Sequence, residues 1–166
     1  MRARVACAGE CMVELREQVD GTLRRGYGGD TLNTAVYLAR LGIAVDYVTA
    51  LGDDGWSDEM LAGWQAEGVG TAHVHQLSGR LPGLYVIQTD GRGERRFSYW
   101  RDSAAARQMF DHVDVAALSA FDLIYVSGIT LSIFAPEARA ILLDVLEAAR
   151  RRGGRVAFDT NFRPRG

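Results

Sequence analysis

Residues 26–35 read GYGGDTLNTA: two adjacent glycines run through Asp30, Thr31 and Asn33 straight into apolar residues at helical spacing. Leu32, Ala35, Val36, Leu38 and Ala39 recur on one side of a helix predicted over 30–41 and stopped by Gly42. Without Cβ atoms, Gly28 and Gly29 allow another group to approach the main chain. Their N–H groups, near the positive end of the helix dipole, suit hydroxyl or anionic oxygens. Asp30 or Thr31 is placed to cap the helix, and Asn33 on its first turn can donate to and accept from one ligand. The same residues also read as an ordinary turn and cap.

On either side of this stretch, strands and helices alternate. Residues 4–8 form an apolar run ending at Gly9, and 12–16 continue with partial alternation toward a turn at Asp20-Gly21. After the helix come a strand over 45–50, the turn LGDDG at 51–55 and a helix over 56–67 closed by Gly68. A strand over 121–128, a helix over 136–152 with Pro136 in its first turn, and a strand over 155–160 complete the series. Such alternation predicts an α/β fold with a mainly parallel sheet flanked by crossover helices. LYVIQT (84–89) and ERRFSYW (94–100), joined through Asp90-Gly91-Arg92-Gly93, break the pattern as a hairpin expected to stand off the main sheet as a flap.

Composition narrows the function classes. The 166 residues are 48% hydrophobic and 24% charged, enough for one ordinary core. A net charge of −2 and a pI near 5.9 argue against a nucleic-acid partner, though not against a small anion held by one or two arginines. The N-terminal apolar run is too short for a secretory signal, and no stretch approaches the ~18 apolar residues of a membrane span, so a cytoplasmic location is expected. Cys7 and Cys11 read as reduced thiols. His73 and His75 could share a metal on one strand face, but no third ligand is placed to help, and no metal site is expected. There is no Walker loop, and GECMVE after the first strand lacks the glycines of a dinucleotide fingerprint.

YGGDTLNTAVYLARLG (27–42), followed by VTALGDDGWSDEML (48–61), resembles the N-terminal signature of the ribokinase-like (PfkB) family of sugar kinases. GECMVEL (9–15), RLPGLYVIQTD (80–90), GERRFSYWRDSAAA (93–106), VSGIT (126–130) and FDTNFRPR (158–165) narrow the likeness to the branch acting on 2-keto-3-deoxygluconate. The resemblance covers essentially the whole chain. It implies a β-lid, built from segments near 11–27 and 82–101, that closes over the sugar. It also implies that Gly29, Asp30, Thr31, Leu32, Asn33, Tyr85, Tyr99, Trp100, Arg101 and Arg163 face the substrate, with Asn161, Phe162 and Arg163 on the nucleotide side. The implied cofactors are ATP and Mg²⁺, and the implied reaction is attack of the C6 hydroxyl on the γ-phosphate. Self-association through the lid is a further implication, with monomer, dimer and higher assemblies all left open.

Charge chemistry fits two of these assignments independently. A sugar acid carries a carboxylate that a planar guanidinium can meet with two parallel hydrogen bonds, which makes Arg101 and Arg163 candidates. Tyr99 shares a strand face with Arg101, since side chains alternate with period two. Arg101 also reads as a solvated arginine at a hairpin end, Tyr85 as a core aromatic, and Arg163 as a partner of Asp159. Glu10 and Glu14 sit where the family places polar residues near the sugar, and stay outside the candidate site. In the family the catalytic base is an aspartate in a Gly-Ala-Gly-Asp type motif of the C-terminal half. No such motif occurs between Met1 and Gly166, and neither aspartate of LGDDG is assigned that role. Residues 1–166 are therefore expected to be the N-terminal, sugar-binding half of a longer kinase, inactive alone, with Val156 and Phe158 on an unpaired sheet edge. A PfkB kinase for fructose or another sugar, or a non-catalytic sugar-binding fragment, remain alternatives.

Overall fold

A computed structural model describes residues 3–162. Its strands are β1 (Arg4–Ala8), β2 (Met12–Glu17), β3 (Leu23–Gly28), β4 (Ala44–Gly52), β5 (Gly70–Leu77), β6 (Gly83–Thr89), β7 (Arg95–Trp100), β8 (Leu123–Ser127) and β9 (Arg155–Asp159). The helices are α1 (Asp30–Arg40), α2 (Gly55–Ala66), α3 (Val115–Ser119), α4 (Gly128–Ser132) and α5 (Pro136–Arg151), with a 3₁₀ segment over Ala105–Asp111.

Five strands form a wholly parallel sheet in the order β5-β4-β1-β8-β9. Helices cover both faces, so β4 reads AVDYVTALG and is buried along nearly its whole length. On one face Leu32 and Ala35 of α1 and Met60 and Trp64 of α2 pack with Val5, Cys7, Tyr47 and Leu51. On the other, Leu142 and Val145 of α5 pack with Met109, Phe110, Phe121, Phe134 and Val126.

Local chemistry sets the helix ends. Gly29, extended, is the N-cap of α1 and supplies no side-chain cap; Asp30 lies one residue inside, its Oδ1 accepting from the Thr31 N–H. The expected cap by Asp30 or Thr31 is corrected accordingly. At the other end Gly42 takes φ +76°, and the Gly42 and Ile43 N–H groups return to the Ala39 and Leu38 carbonyls, a Schellman closure. Asp54 caps α2, its Oδ1 accepting from Trp56 N (2.9 Å) and Ser57 N (3.2 Å). Asp53 accepts from Ser78 Oγ (2.8 Å) and Gly79 N (3.0 Å). Both aspartates of LGDDG thus hold a turn.

The hairpin β6–β7 stands off the main sheet, as expected. It belongs to a second, four-stranded sheet in the order β3-β2-β6-β7, where β2 runs parallel to β6 and the outer pairs are antiparallel. Leu15, Tyr27 and Leu84 pack this sheet against the α1/α2 side of the core. Residues 23–28 carry Arg24, Arg25, Gly26 and Gly28, so their strand is set by pairing with β2 and not by propensity. The five-residue helices α3 and α4 and the 3₁₀ segment are likewise absent from the sequence reading, being too short to show a period.

Candidate functional site

The carboxyl ends of β1 and β9, the N-terminus of α1 and the base of the second sheet meet at one corner. That is where ligands gather in open α/β sheets. Glu10 lies two residues beyond the end of β1 and has only 1% of its side chain exposed. One of its carboxylate oxygens accepts from Arg101 Nη2, just beyond β7. Arg101 in turn lies 5.8 Å over the ring of Tyr99, whose ring centroid is 5.8 Å from that of its cross-strand partner Tyr85. The Tyr85 hydroxyl donates to Glu14 on β2. Across the corner, Asn161 Nδ2 donates to Asp30 Oδ2 at 2.9 Å, tying the end of β9 to the first turn of α1. Asn161 takes φ +35°, a left-handed conformation that its short amide side chain tolerates better than most.

The electrostatics follow from burial. Burial raises the Glu10 carboxyl above its ordinary value, while the Arg101 charge and hydrogen bond oppose that rise and the Asp30 charge adds to it. The Tyr85 hydroxyl is raised too, first by burial and then by donating to Glu14. Both Cys11 and Cys7 are pushed up by burial, Cys7 to about 12, so they sit in the core as protonated thiols.

Of the residues singled out from sequence, the structure brings Asp30, Asn161, Tyr85, Tyr99 and Arg101 to this corner, and Asn33 stands exposed on the first turn of α1. Thr31 is fully buried, its hydroxyl 3.2 Å from the Tyr47 hydroxyl, and Leu32 packs with Tyr47 and Trp64; both side chains serve the core. Trp100 pairs with Leu84, on the sheet face opposite Tyr99 and Arg101, and is 61% exposed. Phe162 is 77% exposed, and Arg163 lies outside the described residues.

The glycine pair also has a packing use. A Cβ at Gly28 would lie 2.2 Å from the Tyr85 hydroxyl, and one at Gly29 would lie 2.3 Å from the Glu10 carbonyl oxygen. Those spaces are filled by the protein's own atoms. The pair lets β3 and α1 close onto β6 and the β1–β2 corner.

Sequence reasoning left out Glu10 and Glu14, the two acids that hold Arg101 and Tyr85. Besides its family position, Glu10 had a signal of its own: a single acid inside the run VACAGECMV, where only apolar and small residues surround it. His73 packs edge-on against Phe121, and His75 lies 6.0 Å from His112, ring to ring. Among the described residues no group of three or more His, Cys, Asp or Glu side chains could hold a metal ion.

The model of the pfkB family of carbohydrate kinases matches residues 2–165. The chain belongs to that family. It is 52% identical over 169 residues to the 2-dehydro-3-deoxygluconokinase of Dickeya dadantii, an alignment covering 97% of this chain and 54% of the relative. To the fructokinase of Salmonella typhimurium it is 31% identical over 164 residues, covering 99% of this chain and 52% of that one. The crystal structure of the Thermotoga maritima 2-dehydro-3-deoxygluconokinase superposes with TM-score 0.88 at 26% identity, over 99% of this chain and 52% of that structure. This PfkB chain therefore spans about half the length of the curated relatives it matches. The neighbours share its ribokinase-like parallel sheet with flanking helices.

Proposed function

We propose that this chain is the sugar-binding half of a carbohydrate kinase that transfers the γ-phosphate of ATP to the C6 hydroxyl of 2-keto-3-deoxygluconate. The observation that carries the reading is the corner itself. Tyr85, Tyr99 and Arg101 from the second sheet stand beside Asp30 and Asn161 at the carboxyl ends of the parallel strands, in a chain 52% identical to a kinase named for that sugar acid. The second sheet is the lid in this reading. Asp30, Asn33 and Asn161 offer donors and acceptors to hydroxyls, the tyrosines supply an apolar wall with polar tips, and Arg101 supplies positive charge. Gly29, Thr31 and Leu32 act by shaping the backbone from which Asp30 and Asn33 project, and Arg163 is assigned to the sugar and nucleotide together.

Mg²⁺-ATP supplies the phosphoryl group and neutralises its charge. The described residues do not by themselves fit such a group, since they hold no candidate metal cluster. The base and the phosphate-binding part are assigned to sequence outside these 166 residues. We place the protein in the cytoplasm; no helix among the described residues is long and apolar enough to cross a membrane. The lid is the surface through which self-association would occur.

A neutral sugar is the second reading. Arg101 already shares its charge with Glu10, which weakens its call on a second carboxylate, and a fructokinase is 31% identical. A coupled ADP-release assay on the full-length parent separates the two. We expect kcat/KM for 2-keto-3-deoxygluconate to exceed that for fructose by roughly a hundredfold or more, and the 166-residue chain to turn over neither. A preference for fructose would replace the first reading with the second, and turnover by the short chain would place the base within it.

A further inference from the structure

We propose that Glu10 is a positioning residue for the bound sugar, acting through Arg101. The proposal rests on the reading that the sugar lies against Arg101. Glu10 is a charged side chain withdrawn from water at the end of the central strand β1, a placement that needs compensation. Its partner is 91 residues away, at the end of the last lid strand, so the ion pair is a link between the two sheets. Room for that link is made by Gly83 at the start of β6. A Cβ there would stand 2.7 Å from Glu10 Oε1 and 3.3 Å from Arg101 Cβ.

The geometry is that of a direction-setting contact more than a stability contact. An arginine and a carboxylate brought together for strength close two parallel hydrogen bonds. Here only Nη2 bonds Glu10, while Arg101 Nε and Glu10 Oε1 are buried without partners. The guanidinium is therefore held end-on, between Glu10 on one side and the Tyr99 ring on the other. Arg101 keeps 19% of its side chain exposed although Nε is buried and Nη2 is engaged. Fixing a long, flexible side chain before a ligand arrives spares the entropy of ordering it on binding. Asp30 and Arg107 also act electrostatically on Glu10, so its carboxylate sits in a field set by α1, the 3₁₀ segment and β7 together.

The test is a double-mutant cycle in the full-length parent, read as sugar Kd by titration calorimetry and as KM and kcat. The ligand is whichever of a panel of neutral hexoses and sugar acids the wild type binds most tightly. Glu10→Gln, which keeps the shape and removes the charge, should raise Kd and KM about tenfold and change kcat less than about threefold. Placed on Arg101→Ala, the same change should add less than about twofold, because the group it positions is gone. Glu10→Asp, which keeps the charge and folds more readily, should fall between wild type and Glu10→Gln in Kd. Effects of Glu10→Gln and Arg101→Ala that multiply, or a Glu10→Asp protein with unchanged Kd, would overturn the proposal. A panel won by a neutral hexose rejects the sugar-acid reading while leaving the coupling measurable, so the two failures are distinct. If Arg101→Ala leaves every Kd unchanged, the sugar is not at Arg101 and the inference falls with that placement.

Discussion

Two glycine-to-alanine changes of identical chemistry should move stability in opposite directions. Gly29 has φ −174° and ψ 135°, extended backbone open to any residue, so alanine meets no conformational penalty there. The obstacle is steric. The new methyl would lie 2.3 Å from the Glu10 carbonyl oxygen and 3.2 Å from Cys11 Cα, both main-chain atoms of the β1–β2 corner. Relief needs a shift of about 1 Å in β1 or α1, and overpacking of that kind costs roughly 1–3 kcal/mol, with a backbone obstacle at the upper end. Gly63 stands mid-helix in α2, exposed, with nothing within 4 Å of its Cβ position. Alanine there recovers about 0.5–1 kcal/mol of helix propensity. Equilibrium urea unfolding of the full-length parent, at an m-value of about 2 kcal/mol/M, should show the midpoint falling by roughly 1.5 M for Gly29→Ala and rising by roughly 0.4 M for Gly63→Ala. Shifts of the same sign, or a loss under about 1 kcal/mol at Gly29, would refute the close approach of α1 to the β1–β2 corner.

Two further outcomes follow from contacts away from the candidate corner. Asp54→Ala removes the acceptor of two orphan N–H groups of α2 and the partner of Ser57 Oγ at 2.6 Å, and should cost about 1–2 kcal/mol in thermal unfolding. Asp54→Asn, which keeps a capping oxygen, should recover most of it. His75 is held below its ordinary value of 6.5, first by burial and then by the His112 and His73 charges. The unfolded chain then binds more protons, so this contribution is present in full above pH 6.5 and is lost as pH falls through the lowered folded value. Tm measured from pH 7 to pH 5 should decline, and His75→Gln should flatten part of that decline; an unchanged slope would reject the assignment.

Much of the α/β frame was legible because parallel strands buried on both faces leave long apolar runs, and because α1 and α2 stop at Gly42 and Gly68, both with positive φ. The second sheet was only half legible. β6 and β7 carry alternating aromatics around a glycine turn, whereas β3, LRRGYG, has a strand's geometry without its composition. Tyr99 and Arg101 share a face by period two alone, whereas the resemblance set Trp100 beside them and the structure puts it on the other side. Leu32 and Thr31 were read with the ligand through the family resemblance. On a helix the neighbours of a surface residue point into the core.

By itself, the sequence determined the order of the longer strands and helices, the glycine stops of α1 and α2 and the set of polar and aromatic residues available for a small polar ligand, because each depends on local propensity and spacing. Only the tertiary structure decided that Glu10 meets Arg101, that Glu14 meets Tyr85 and that Asn161 meets Asp30. These pairs span 91, 71 and 131 residues. No local pattern encodes such distances; the partners become neighbours once burial of apolar faces has fixed how the two sheets pack.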